Sequence, residues 1–167
     1  MIHTIPEFIE LWREESKKTM AALHALTDAS LSQRVSNDDR TLGRVAWHIV
    51  QTLGEILGRT GLVVDGPKEA DPVPKTASEI AESYDRAARS LADAVQFAWT
   101  NDSLKVEDDM YGERWTRATT LQGLVMHEVH HRGQLTVLMR QAGLKPPSIY
   151  GPAREDWAGY GMEIPSI

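Results

Sequence analysis

The chain has 167 residues, 41% hydrophobic and 25% charged, which suits one globular domain with a core of its own. A formal net charge of −6 argues against nucleic-acid binding through a general positive field, and no Lys/Arg run stands out. The absence of cysteine excludes disulfides, thiolate metal sites and a cysteine nucleophile.

Taken from the N-terminus, apolar residues at helical spacing (Phe8, Ile9, Trp12, Met20, Leu23) predict a first helix from about Pro6 to Leu26. Thr4 is placed to cap it, with Pro6 in its first turn. A second helix is expected from about Leu42 to Thr60, where Leu42, Val45, Ala46, Ile49, Leu53, Ile56 and Leu57 form a broad stripe and Gly61 follows as a stop. His48 lies at the edge of that stripe. A proline-rich loop leads to Thr76-Ala77-Ser78-Glu79, a capping box that opens a third helix ending near Trp99. Ile80, Tyr84, Ala87, Leu91 and Val95 mark its buried face.

The segment from Asn101 to Arg117 is polar and irregular, and reads as an extended loop in preference to a small hairpin. A fourth helix is expected from about Thr119 to Ala142, with Leu121, Leu124, Val125, Leu135 and Leu138 inward and Gly143 just beyond. From Leu144 the chain holds four prolines and three glycines, the composition of a non-helical strap. Tyr150, Trp157 or Tyr160 would anchor it. Four amphipathic helices can bury their stripes against one another, so the expected fold is an all-α four-helix bundle with a non-helical C-terminal tail, a single domain over 1–167. No stretch has the length and apolarity of a membrane span, and the N-terminus does not read as a signal peptide. A cytoplasmic protein without membrane or nucleic-acid partners is the expectation.

Six histidines are present. His127 and His131 stand four apart on the fourth helix, so their imidazoles project from one face, a turn apart, and can grip one ion from two sides. Such a pair arises by chance too easily to mean much alone. Both, however, interrupt the inward face between Leu124 and Leu135. A buried imidazole needs partners for its nitrogens, which either a metal or a polar network supplies. His48, beside the stripe of the second helix, could meet the pair in space. Three imidazoles would leave coordination positions open, as catalytic rather than structural sites do. From the pattern alone, a metal site and a set of satisfied core histidines both remain open.

The segment His127-Glu128-Val129-His130-His131-Arg132-Gly133-Gln134-Leu135 resembles the last-helix signature of the DinB/YfiT-like family, and Leu42 to Ile49, ending Trp47-His48-Ile49, resembles its second-helix signature. The resemblance runs over essentially the whole chain. It implies a four-helix bundle, commonly a homodimer, holding one divalent metal ion through His48, His127 and His131. Imidazole ligands suit Zn²⁺ or Ni²⁺. Some relatives are transferases or isomerases that use a low-molecular-weight thiol, so the resemblance implies a metal-dependent thiol transferase acting on a small-molecule substrate. The alternative is a stress-related bundle that binds a metal or small ligand without turning it over.

A remoter reading takes His127-Glu128-Val129-His130-His131 as the H-E-x-x-H of a zinc hydrolase, with Glu128 as general base and Glu155, Asp156 or Glu163 as third ligand. Glu128 is the one candidate for a catalytic side chain, set against the simpler expectation of an ion pair with Arg132 four residues on. His130 is expected at the surface, with His3 and His24 also exposed. Glu55 reads as solvated in preference to lining a cavity mouth. Tyr111, Trp115, Tyr150 and Trp157 could line a substrate pocket or simply pin loops. Gly133 in mid-helix costs about 1 kcal/mol relative to Ala, which suggests close packing against a neighbouring helix, with the first as candidate. Glu107-Asp108-Asp109 lacks the spacing of a calcium loop and reads as a solvated cluster.

Overall fold

The computed structural model describes residues 2–166. Helix α1 (Ile5–His24) starts where Thr4 caps the backbone N–H of Glu7, while the Glu7 carboxylate accepts from the N–H groups of His3 and Thr4. Each bond satisfies a donor that the first helical turn would otherwise leave open. Helix α2 (Leu42–Gly58) is capped in the same way by Thr41. Helix α3 (Ala77–Ala98) begins at the Thr76/Glu79 capping box. Helix α4 (Arg117–Gln141) is capped by Thr116 and stopped by Gly143, whose φ of +76° an L side chain rarely adopts.

Helices α1 and α2 each pack mainly against α3 and α4. The bundle thus places α1 diagonally across from α2, and α3 across from α4. Phe8, Trp12, Leu23, Ile49, Leu53, Leu57, Ile80, Tyr84, Leu91, Leu121 and Leu135 are buried between them. This is the expected four-helix bundle. No described helix is long and apolar enough to cross a membrane.

Two departures have physical causes. Where an extended loop was expected after α3, the chain forms a short 3-10 turn (Asn101–Lys105) and a hairpin of β1 (Glu107–Met110) and β2 (Glu113–Thr116). The strands pair antiparallel with Glu107 opposite Thr116 and Met110 opposite Glu113. Tyr111 and Gly112 close the hairpin, both at positive φ, as a two-residue hairpin loop can require. Of β1 only Met110 is fully buried, so the period-two apolar signal of a strand is missing. The second departure is Gly133, which faces outward between exposed Met126 and Val137. No atom lies within 4 Å of where its Cβ would sit, so it does not pack against α1.

The tail contains no α-helix and winds one 3-10 stretch, Arg154–Tyr160. Of its three candidate anchors, Tyr150 hydrogen-bonds into the bundle through Arg132 and Glu15. Tyr160 is exposed.

Candidate metal centre

The broad apolar stripe of α2 buries Ile49, Val50 and Leu53 and turns the half-buried His48 toward α4. On α4, Leu124 and Leu135 fix the rotation that aims His127 and His131 back at α2. The three rings converge. Ring centroids lie 5.1 Å apart for His48–His127, 4.6 Å for His48–His131 and 4.4 Å for His127–His131. One ligand nitrogen from each falls within 4.8 Å of the others. Metal–imidazole bonds of about 2.05 Å at tetrahedral angles need nitrogens about 3.3 Å apart. The Nε2 atoms of His127 and His131 already stand 3.1 Å apart, so the geometry accommodates one ion after a small movement of His48.

The protonation states suit the same use. Burial pushes His48 and His127 down to about 4, helped by the neighbouring imidazoles. Burial also lowers His131, against the opposing bond to Gln134. Neutral rings at neutral pH carry the lone pairs a metal needs. The Gln134 Oε1 atom lies 2.7 Å from His131 Nδ1. An amide oxygen can only accept, so the proton sits on Nδ1 and the Nε2 lone pair turns toward the cluster. The Gln134 amide nitrogen in turn faces His130 Nε2 at 3.1 Å. Exposed His130 is thus a neighbour of the cluster but not among its ligand atoms. His3 and His24 are exposed, as expected.

Two clefts flank the triad. One, of about 470 Å³, is lined by His48, His127, Arg40, Arg44, Tyr111 and Trp115 among others. The other, of about 550 Å³, reaches His131, Gln134, Arg40 and Val137. Glu55, expected in solvent, instead lines the first cleft, where it accepts from Tyr111 Oη at 2.7 Å and Arg59 Nε at 2.6 Å. That contact ties the hairpin tip to α2. Tyr111 and Trp115 therefore belong to the cleft wall, whereas Tyr150 anchors the tail.

Glu128 faces elsewhere. One residue beyond His127, it is rotated by about 100° on the helix. Its Oε1 accepts from Thr19 of α1 at 2.6 Å and Tyr84 of α3 at 2.7 Å. The expected ion pair with Arg132 is present at 3.9 Å, while the hydrogen bonds of that guanidinium go to Glu15 and to Thr19 Oγ1. Burial raises the Glu128 pKa against these bonds. The H-E-x-x-H arrangement is accordingly not assembled, because its base lies among α1, α3 and α4. The tail carboxylates are also engaged: Glu155 pairs with Arg140 at 2.5 Å, which holds it down to about 2, and Asp156 pairs with Lys145. Glu163 is exposed. Asp108 pairs with Arg117 at 2.9 Å, so the acidic hairpin cluster is partly a structural contact.

Sequence reasoning singled out the three histidines that the fold brings together. It did not single out Gln134, Arg40 or Arg44. Gln134 could have been found from its position three residues after His131, where a helix places it over the same ring. The arginines carry no comparable local signal.

A four-helix bundle with three converging imidazoles, one from α2 and two from α4, defines a candidate metal-binding bundle. The chain belongs to the DinB family, whose match extends over residues 1–165. It is 42% identical over 167 residues to the uncharacterised protein YrdA of Bacillus subtilis (strain 168), covering both chains completely. The crystal structure of a DinB-like protein from Bacillus cereus ATCC 10987 superimposes with a TM-score of 0.87 at 43% identity, covering 90% of this chain and 100% of that one. A second DinB-like protein, YjoA of Bacillus subtilis, shares the fold at a TM-score of 0.64 and 17% identity, over 82% of this chain and 92% of its own.

Proposed function

We propose that this DinB-family protein is a metal-dependent enzyme that transfers a low-molecular-weight thiol to a small electrophile, with His48, His127 and His131 holding one Zn²⁺ or Ni²⁺ ion. The observation that carries this reading is the openness of the triad. Among the described residues no fourth His, Cys, Asp or Glu joins the three imidazoles, and a cleft of about 470 Å³ adjoins them. Structural sites usually close their coordination sphere with protein, whereas catalytic sites keep a position for water or substrate. A bound ion supplies Lewis-acid chemistry, lowering the pKa of a coordinated thiol or water.

The chain's own residues supply the rest. His48 comes from a different helix than its two partners, so the ion position depends on the packing of α2 against α4. Gln134 holds His131 in the tautomer that points Nε2 inward. Tyr111 and Trp115 wall the cleft. Among the described residues lining the cleft, the hydroxyls of Thr52 and Thr120 donate to backbone carbonyls, which fits attack by a cosubstrate. The test is conjugation of a panel of small thiols to electrophiles by the zinc- and nickel-loaded protein. Turnover that a chelator abolishes and readdition of metal restores is expected. A metal-loaded protein inert toward the whole panel, while still holding one ion per chain, would favour the non-enzymatic binding role.

A further inference from the structure

The cleft beside the triad gathers three arginines on a chain whose net charge is −6. It is lined by Arg40, Arg44 and Arg59 against Glu55 and Glu69. The three arginines are not equivalent. Arg59 is spent on Glu55 at 2.6 Å and lies over the Tyr111 ring at 4.0 Å. Arg44 donates to the Gln51 side-chain oxygen at 2.6 Å, a neutral acceptor. Gln51 is itself fixed, because its amide nitrogen donates to the backbone carbonyls of Lys68, Glu69 and Asp71. Arg40 has neither a hydrogen bond nor an ion pair among the described residues, and it borders both clefts. Asp38 and Asp39 stand near it on the second cleft, but neither comes within ion-pair distance of it, and Asp39 accepts from Ser36.

Two guanidinium groups without a carboxylate partner therefore face the open side of a triad of neutral bases. A guanidinium presents a fork of N–H donors that matches the oxygen pair of a carboxylate or the oxygens of a phosphate. A nearby dication would strengthen the attraction for an anion and make an unliganded cleft more positive still. We infer that Arg40 and Arg44 form an oxyanion subsite, and that the ligand of this cleft carries a carboxylate or phosphate at the end remote from the atom that meets the metal. This inference rests on the proposed metal site. It adds to that reading the charge class of the ligand and the residues that select it.

Cobalt-substituted protein separates the two claims. Co²⁺ held by three imidazoles in an open site gives visible absorption, and a coordinated thiolate adds a near-ultraviolet band that reports binding without turnover. The probes are 3-mercaptopropionate, 2-mercaptoethyl phosphate and the neutral 2-mercaptoethanol. A charged thiol is expected to bind about tenfold more tightly than the neutral one, the scale of a charge-assisted hydrogen bond. Whichever charged probe binds better identifies the oxyanion, and preference for either supports the subsite. In the Arg40→Gln and Arg44→Gln double variant the preference should collapse, while cobalt content, the visible spectrum and mercaptoethanol affinity persist. Arg40→Gln alone, at an exposed position, should lose part of the preference without affecting folding. A wild-type protein that binds cobalt with no charge preference, or a preference that survives loss of both arginines, overturns the subsite alone. Failure of the wild-type protein to bind cobalt overturns the metal site beneath it.

Discussion

Helix α4 carries two polar clusters inside one bundle, built from adjacent residues. His127 and His131 turn toward α2, while Glu128 and Arg132 turn toward α1 and α3. The second cluster is complementary within itself. Arg132 donates to the Glu15 carboxylate, the Glu15 backbone carbonyl and Thr19 Oγ1, and Tyr150 from the tail joins Glu15 and Arg132. Burial pushes Glu15 up, but bonds from Lys18, Tyr150 and Arg132 outweigh it and hold the carboxyl below the usual range. Of its buried side-chain polar atoms, Glu128 Oε2 is the one left without a partner. The histidine cluster is the opposite: three bases of the same kind and no acid among them. A cluster of paired acids and bases holds helices together, and one that gathers like lone pairs around a point is suited to an ion from outside.

That contrast can be broken most forcefully at Arg132. Arg132→Met should cost about 3–5 kcal/mol of unfolding free energy, because it leaves the fully buried Glu128 without a cation and Glu15 with Lys18 alone. Metal content per folded chain should be unchanged. Urea unfolding together with elemental analysis checks both halves. If the variant loses metal while remaining folded, the clusters are not separate.

A smaller effect is expected from Gln134→Leu, which removes the acceptor for His131 Nδ1 while leaving the three rings in place. Metal affinity should fall about 10- to 100-fold, as loss of an outer-shell partner typically does. Stability of the metal-free protein should barely change. Competition with a chromophoric chelator measures the first, and thermal unfolding in chelator measures the second.

A third test concerns acid. His48 and His127 titrate near 4 in the folded metal-free chain and near their ordinary value of 6.5 when unfolded. Between those values the unfolded chain binds more protons, so stability rises with pH across that window. Acidifying the metal-free protein from pH 7 should thus lower its Tm progressively from about 6.5 toward 4. His127→Ala should flatten part of that slope. A slope identical to that of the wild type would mean that the two rings are not desolvated as described.

The sequence was legible where local rules and burial agree. All four helices announce themselves through apolar spacing, and their ends through Thr4, Thr76 and Gly143. The hairpin was hidden because its strands are short, charged and nearly free of inward apolar residues. Glu128 was misleading for a different reason. The H-E-x-x-H spacing records which residues share a helix, but a rotation of about 100° per residue decides which neighbours each one meets. Glu55 and Gly133 were misjudged because their surroundings are set by tertiary packing, by the hairpin in one case and by an uncovered helix face in the other. The histidine triad was readable because its two signals, a four-residue spacing on α4 and a lone histidine beside the α2 stripe, survive translation into the bundle.

The decisive measurement is metal stoichiometry by elemental analysis after equilibration with zinc and removal of excess, for wild-type protein and His48→Ala side by side. His48 lies on α2, so its loss tests convergence across helices rather than the α4 pair alone. One ion per chain in the wild type and less than a tenth of that in the variant is the predicted result. Equal metal content in the two, with both folded by circular dichroism, would contradict the three-histidine centre.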